Sequence, residues 1–125
     1  MVISELKLKR AYAFYDECDG YRILVDRLWP RGITKERLHC ELWAKNISPS
    51  QELRKTFHGE NYFLDFKEAY VMELEKNPEV SSFIDLCREK LAEGNVTLVY
   101  AAKNEICNNA VVLKEWLLEK INENS

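Results

Sequence analysis

The chain has 125 residues, of which 46% are hydrophobic and 31% charged, and its formal net charge is −3. This length and composition predict one globular domain over residues 1–125, long enough to bury about two thirds of the surface of the unfolded chain. The acidic balance argues against non-specific binding to nucleic acid or to an anionic membrane, although it leaves room for a local basic patch.

The first part of the chain predicts two strands joined by a turn. Residues 6–14 alternate apolar and basic side chains, which indicates an edge strand with one solvated face. The turn ends in Asp19-Gly20, and a second strand follows over residues 21–28 around an apolar run. The short connection favours an antiparallel pair. The alternative is two parallel strands with another strand between them, and the sequence leaves both open.

The block between residues 34 and 94 predicts four helices. Each prediction rests on a capping residue or on apolar side chains at helical spacing. Ser48 gives the clearest start, because serine at the N-cap, proline at N1 and glutamine at N3 form a capping box. The helices are expected over 34–43 with Thr34 as cap, from Ser48 to near Gly59, over 62–74, and from 80 to a stop at Gly94.

A second buried strand is predicted over residues 96–102, whose side chains are almost all apolar. It leads through a loop into a last helix over 109–121. Because helices separate the two apolar strands, a right-handed crossover makes strands 21–28 and 95–102 parallel neighbours. The predicted fold class is therefore α/β, with a small, mostly parallel sheet of about three strands flanked by helices in a single domain.

Charged and amide side chains follow both apolar strands at their carboxyl ends, where open α/β folds keep their sites. The side chains include arginine guanidinium groups, a lysine and amides, and a helix N-terminus lies beside them. Together they predict a binding site for an anion such as phosphate, carboxylate or sulfate. For any single one of these residues, a purely structural role in the loops is as well supported as a role in binding. The candidates are Asp26, Arg27, Trp29 and Arg31 after the first apolar run and Lys103, Asn108 and Asn109 after the second.

The cysteines and histidines give weaker signals. Cys107 lies beside a helix N-terminus, an arrangement that can activate a thiol. However, the phosphatase pattern Cys-x5-Arg fails because Leu113 occupies its last position. The other three cysteines are interpreted as structural thiols. His39 and His58 have no second ligand at short spacing, and the chain has no glycine-rich phosphate loop, so no metal or cofactor is predicted.

The sequence favours a cytoplasmic protein. The four cysteines include no CxxC pair, and isolated thiols are typical of a reducing compartment. The N-terminal residues lack the apolar core of a signal peptide, and no stretch approaches the roughly 20 apolar residues of a membrane span. No contact with a membrane is therefore predicted.

Three motifs resemble one known family. Residues 19–32, DGYRILVDRLWPRG, resemble the opening motif of the domain-of-unknown-function family 488 in its short YeaO-like branch. Residues 48–55 resemble its second motif, and residues 96–103 with 108–113 its third. The resemblance covers nearly all of the chain and implies a fold and a site more than a reaction. The site positions that it implies are Asp26, Arg27, Trp29, Pro30, Arg31, Gly32, Arg54, Lys103, Asn108 and Asn109, and Arg54 joins the ligand-binding candidates on this ground alone.

Two positions depart from the family pattern. Thr56 stands where a tryptophan is expected, and Cys107 stands where a histidine often precedes the asparagine. If that histidine acts as a general base, a cysteine does not supply the same proton chemistry near pH 7. The departure at Cys107 therefore weakens the prediction of catalysis.

Two hypotheses follow. In the first, Arg27, Arg31 and Lys103 hold an anionic small molecule, and whether the protein also acts as an enzyme on a nucleotide-like or phosphorylated substrate is open. Lys103 and Asp26 are then the catalytic candidates, with Asp26 as general base, although an arginine neighbour is expected to keep the pKa of Asp26 low. In the second, a non-enzymatic module binds single-stranded nucleic acid or a protein, with Trp29 stacked on a base. The net negative charge disfavours the nucleic acid.

Overall fold

The computed structural model describes residues 4–57 and 60–123, and over these residues the chain forms a four-stranded sheet with helices packed against it. Every strand pair is parallel, and the strand order is β1-β4-β2-β3. This arrangement confirms the α/β class, with four strands instead of about three. The strands are β1 (Leu6–Arg10), β2 (Tyr21–Leu24), β3 (Leu42–Trp43) and β4 (Val96–Tyr100).

Strand β4 lies at the centre and settles the direction of the first strand. Leu98 is in register with Leu8 of β1 on one side and with Ile23 of β2 on the other. Of the two alternatives, the parallel one with an intervening strand is right, and β1 lies at an edge as predicted. Strands β2 and β4 are parallel neighbours, so their carboxyl ends meet at one edge of the sheet.

Five α-helices complete the described part of the fold. The third, fourth and fifth confirm the predicted helices in position, and the fourth stops at Gly94 as expected. They cover one face of the sheet, whereas the other face is covered by the first helix and by loops. The helices are α1 (Lys35–Leu38), α2 (Gln51–Thr56), α3 (Phe63–Lys76), α4 (Val80–Glu93) and α5 (Asn109–Glu123).

The helix predicted over 34–43 is wrong beyond its first turn. Thr34 caps it as expected, since its hydroxyl oxygen accepts from the Arg37 amide at 3.1 Å. His39 then adopts a left-handed conformation with φ of 52° and ends the helix. Leu42 and Trp43 pair with β2 instead, because the open edge of that strand offers backbone partners that a longer helix would leave unused.

The second helix begins two residues later than predicted. Its N-cap is Ser50, whose hydroxyl oxygen accepts from the Leu53 amide at 3.3 Å. The Ser48 hydroxyl instead donates to the Ala44 carbonyl at 2.9 Å and closes the preceding 3₁₀ turn. The helix ends at Thr56, and the predicted stop near Gly59 lies outside the described residues.

The core has two parts, one on each face of the sheet. Ile23 and Leu98 join the larger cluster under helices α3, α4 and α5. Leu24 and Val99, their neighbours in sequence, join the smaller cluster on the opposite face. Adjacent residues therefore bury opposite faces, as the uniformly apolar sequence of β4 predicts. With both faces covered, the carboxyl edge is where polar side chains of these strands can gather.

Candidate functional site

A cleft of about 590 Å³ opens at the carboxyl edge of the sheet. This volume falls in the range of about 300–1,000 Å³ that is typical of small-molecule sites. The cleft lies between the loops that follow β2 and β4, helix α2 and the first turns of α3 and α5. All eight predicted site residues line it, namely Asp26, Arg27, Trp29, Arg31, Arg54, Lys103, Asn108 and Asn109.

One wall of the cleft is aromatic, and sequence reasoning missed it. Phe57 follows α2, and Phe63 and Phe66 belong to the first turn of α3. The rings of Phe63 and Phe66 stack with centroids 6.4 Å apart. The aromatic stripe of α3 predicted a helix packed on the core, and Tyr70, further along α3, is buried in that core. Phe63 and Phe66 are partly buried against the same core cluster, and they also line the cleft.

The cleft carries an excess of positive charge in a protein whose net charge is negative. Among the described residues, four cationic side chains line it, Arg27, Arg31, Arg54 and Lys103, against one carboxylate, that of Asp26. Arg31, Arg54 and Lys103 are exposed. Within the described residues, none of these three forms an ion pair with an acidic side chain. The local basic patch that the overall charge left open is therefore present here.

Arg27 differs from the other three cations because its guanidinium group is used within the fold. Its Nε donates to the Pro49 carbonyl at 2.9 Å, and its Nη2 donates to the Ser48 carbonyl at 3.3 Å. These bonds tie the loop after β2 to the segment that precedes α2. Arg27 therefore has a structural role in the loops, with backbone carbonyls as its partners.

Trp29 braces the loop after β2 and forms part of the cleft wall. Its indole N–H donates to the Ile33 carbonyl at 2.6 Å, and its ring contacts Trp43 edge-on at 5.5 Å between centroids. The Trp43 indole in turn donates to the backbone carbonyl of Asp26 at 2.7 Å. The two tryptophans therefore hold the loop against the smaller core cluster.

Asp26 connects three elements through its carboxylate. Its Oδ2 accepts from the Ala101 amide after β4 at 2.8 Å, and its Oδ1 accepts from the side-chain amide of Asn109 at 3.0 Å. The same Asn109 amide donates to the Val25 carbonyl at 2.9 Å. The ends of β2 and β4 and the start of α5 are thereby fastened together at the floor of the cleft.

Burial raises the pKa of Asp26 above its usual range. The bonds from Asn109 and Ala101 and the charge of Arg54 act in the opposite direction without overcoming burial, and Arg54 contributes least. The expectation that an arginine neighbour keeps this pKa low is therefore wrong. The reason is that Asp26 is largely buried, so that its lost solvation outweighs the charge of Arg54.

Asn108 shapes the loop that leads into α5. Its amide N–H donates to the Asn104 carbonyl at 2.9 Å, while its Oδ1 accepts from the Val111 amide at 2.9 Å and caps the helix. Asn104 Oδ1 accepts from the Cys107 amide at 2.8 Å. Cys107 lines the cleft at this bend and is partly exposed. The bonds of Asn108 fix the turn that brings Lys103 and Cys107 to the cleft.

Of the two histidines, only His39 lies in the described residues, and it does not line the cleft. His39 stacks on Tyr15 at 3.9 Å between centroids, and His58 lies outside the described residues. Among residues 4–57 and 60–123, no group of three or more histidine, cysteine or acidic side chains is arranged to hold a metal ion. All four cysteines are free thiols. Within the same residues, no helix is long and apolar enough to cross a membrane.

The raised pKa of Asp26 predicts a pH effect on stability. A raised folded-state pKa means that folding favours the protonated carboxyl, so this contribution is complete at low pH and is lost as the pH rises through the folded-state pKa. The asparagine of the Asp26→Asn variant does not titrate, so this variant lacks the pH-dependent contribution. The stability of the parent relative to Asp26→Asn should therefore decrease between about pH 3 and about pH 7 in urea unfolding. An increase would show that the two hydrogen bonds outweigh burial.

The chain matches the family described as "Inactive DUF488-N3 subclade" over residues 5–125 and belongs to that family. It is similar to the uncharacterised protein YeaO of Escherichia coli strain K12, with 46% identity over 114 residues that cover 90% of this chain and 96% of the relative. It is also similar to the uncharacterised protein Rv3073c of Mycobacterium tuberculosis strain H37Rv, with 32% identity over 91% of this chain and 94% of the relative. No solved structure matches the chain significantly. The family confirms the resemblance that the three motifs indicate.

Proposed function

We propose that the protein binds an anionic small molecule in the cleft without transforming it. The observation that carries the proposal is the set of three exposed cations, Arg31, Arg54 and Lys103, that line one cleft and have no acidic partner among the described residues. Unpaired cations beside an apolar surface favour an anionic ligand, because its charge replaces the missing partner. A cytoplasmic setting is part of the proposal and rests on the four free thiols.

Three observations favour binding over catalysis. Both carboxylate oxygens of Asp26 already accept hydrogen bonds, whereas a general base needs an oxygen in reach of the proton that it removes. Cys107 occupies the position where the resembling family often has a histidine. The description of the family itself contains the word inactive. Lys103 is the other catalytic candidate, and its substitution distinguishes a role in binding from a role in catalysis.

The walls of the cleft indicate the form of the ligand. The cations lie at the rim, while Phe57, Phe63 and Phe66 offer ring surface within the same cleft. Such a site matches a molecule with a planar apolar body and an anionic group, since each part then has its own partner. Nucleotide-like and phosphorylated compounds, aromatic carboxylates and aromatic sulfonates all have this form.

A pair of dyes tests the proposal. 1-Anilinonaphthalene-8-sulfonate has an aromatic body and a sulfonate, and N-phenyl-1-naphthylamine has the same body without the charge. We expect the sulfonate to bind the folded protein at least about tenfold more tightly than the neutral dye, and added salt to reduce the difference. Fluorescence titration measures both. Equal affinities would contradict the proposal, because the cations would then contribute nothing.

Two substitutions of Lys103 separate charge complementarity from chemistry. Lys103→Met should leave the fold intact and weaken sulfonate binding by about fivefold to tenfold, because one charge contact of about 1 kcal/mol is lost. Lys103→Arg should keep most of the affinity. If both variants bind as the parent does while a substrate turnover is abolished in both, Lys103 is catalytic and the binding proposal fails.

Single-stranded nucleic acid is the alternative ligand. Its phosphates would contact the same arginines, and a base would stack on the partly exposed ring of Trp29. The whole chain is acidic, so repulsion from the remaining surface opposes a long polyanion more than a small molecule. We expect a labelled oligonucleotide to bind only weakly at about 0.15 M salt, and tight binding there would favour the alternative.

A further inference from the structure

Arg10, the last residue of the edge strand β1, reaches the loop that carries Lys103. Its Nε donates to the Ala102 carbonyl at 2.9 Å, and its Nη2 donates to the Ala101 carbonyl at 3.3 Å. Both alanines line the cleft, whereas Arg10 does not. The guanidinium group therefore holds the backbone immediately before Lys103 from outside the cleft.

Tyr12 reaches the other cation-bearing loop. Its hydroxyl donates to the Arg31 carbonyl at 3.1 Å. Arg31 lies in a turn in which the Ile33 amide donates to the Pro30 carbonyl at 3.4 Å and Gly32 has φ of 80°. A positive φ at this place is typical of a type II turn, whose central carbonyl points outward. The bond from Tyr12 to that carbonyl fixes the orientation of the peptide between Arg31 and Gly32.

The two residues also contact each other. The guanidinium carbon of Arg10 lies 5.2 Å from the centre of the Tyr12 ring, in cation–π geometry. We propose that Arg10 and Tyr12 form one positioning unit that holds the backbone at Lys103 and at Arg31 on the two sides of the cleft mouth. This inference rests on the proposed anion binding, because it concerns the two cations that would hold the ligand.

A positioning unit is useful here because Arg31 and Lys103 have no acidic partner among the described residues that would hold them. An exposed arginine or lysine loses rotamer freedom when it binds a ligand, and a fixed backbone limits that loss. Arg10 and Tyr12 fix the backbone on both sides of the cleft mouth without occupying the cleft. They therefore raise the affinity without contacting the ligand.

A double-mutant cycle with 1-anilinonaphthalene-8-sulfonate tests the assignment of Tyr12. Tyr12→Phe removes only the hydroxyl, and we expect it to weaken binding by about threefold in the parent, the effect of one exposed hydrogen bond. In the Arg31→Met background the same change should have no effect, because the side chain that it positions is gone. In the Lys103→Met background the effect should persist. An equal effect in both backgrounds would overturn the proposal.

Arg10 is tested in the same way against the other cation. Arg10→Met should weaken binding by about threefold to tenfold in the parent and less in the Lys103→Met background, since two hydrogen bonds are lost. Arg10→Lys should recover part of the affinity. Lys7→Met, which removes a charge at the opposite end of the same strand, is the matched control and should leave binding unchanged. An equal loss of affinity in the control would mean that Arg10 acts only through its charge, and the positioning role would be wrong.

Amide exchange separates failure of the inference from failure of the proposed function. The Ile33 amide is bonded inside the turn that Tyr12 holds, so Tyr12→Phe should accelerate its exchange without any ligand present. If exchange accelerates but the sulfonate binds no better than the neutral dye, the turn is positioned and anion binding is wrong. If exchange is unchanged, the positioning role is wrong whatever the dye affinities are.

Discussion

Replacement of Arg31 and Lys103 together by glutamate is expected to weaken the binding of 1-anilinonaphthalene-8-sulfonate by about a hundredfold or more. Each change removes an attraction and adds a repulsion, and about 1.4 kcal/mol or more per position gives this factor for the pair. Both residues are exposed at the rim, so the fold should tolerate the changes. Fluorescence titration measures the affinity, and circular dichroism checks the fold.

A second pair of substitutions supplies the matched control. Lys35 and Arg37 are exposed on α1 and do not line the cleft. Lys35→Glu with Arg37→Glu changes the net charge by the same amount as the pair at the cleft. We expect this control to bind the sulfonate nearly as the parent does. A comparable loss in both pairs would mean that the overall charge, and not the cleft, attracts the dye.

The neutral dye completes this comparison. Its binding depends on the aromatic wall of Phe57, Phe63 and Phe66 and should change little when the rim charges are reversed. Loss of both dyes in the variant at the cleft would indicate that the wall had moved, and the charge argument would then lose its support. Loss of the sulfonate alone is the result that the proposal requires.

The position of the cleft was predictable from the sequence because it follows from a few strong regularities. The apolar runs before Asp26 and after Gly94 are long enough to indicate buried strands, and the helical block between them requires a parallel crossover. Parallel neighbours bring their carboxyl ends together, so Asp26 and Lys103 had to lie near each other. All eight candidate residues accordingly line one cleft.

The partners of these residues were not predictable, because they are set by contacts between distant segments. Nothing near Arg27 in the sequence indicates that it donates to the Pro49 carbonyl, 22 residues away. The burial that raises the pKa of Asp26 likewise depends on elements from the whole chain. The aromatic wall was missed for a related reason, since helical periodicity does not distinguish Phe66, which faces a cleft, from Tyr70, which is buried.

The short strand β3 shows how tertiary pairing overrides local signals. Leu38 and Leu42 have the spacing of a helix, and Thr34 is a good cap. In the structure, Leu42 pairs with Ile23, and the Ala44 amide donates to the Leu24 carbonyl at 2.8 Å. The free edge of β2 thus determines the conformation, and no pattern within residues 34–43 reveals that edge.

Gly20→Ala is expected to destabilise the fold strongly. Gly20 has φ of 68°, and a Cβ atom there would lie 2.7 Å from the carbonyl carbon of Asn95 and closer still to its oxygen. That oxygen accepts from the Tyr21 amide at 2.9 Å, at the start of the pairing between β2 and β4. An added methyl group therefore has to separate the two central strands.

Asn95 cannot move aside easily, because its side chain is held at both ends. Its Oδ1 accepts from the Glu5 amide at 2.8 Å, and its Nδ2 donates to the Cys18 carbonyl at 2.8 Å. We expect Gly20→Ala to cost about 4 kcal/mol or more, a large part of the roughly 5–15 kcal/mol that stabilises a domain. Urea unfolding, or the absence of a cooperative transition, measures this loss.

Gly32→Ala is the control that isolates the steric part of this prediction. Gly32 also has a positive φ, 80°, but a Cβ atom there meets no other atom within 4 Å. Only the backbone strain remains, which costs about 1–2 kcal/mol for a residue with a side chain. If the two variants lose similar amounts of stability, the close approach of Gly20 to Asn95 contributes nothing. If Gly20→Ala instead loses about 2 kcal/mol or more of stability beyond the loss in Gly32→Ala, the close contact of Gly20 with Asn95 is required for the pairing of β2 and β4.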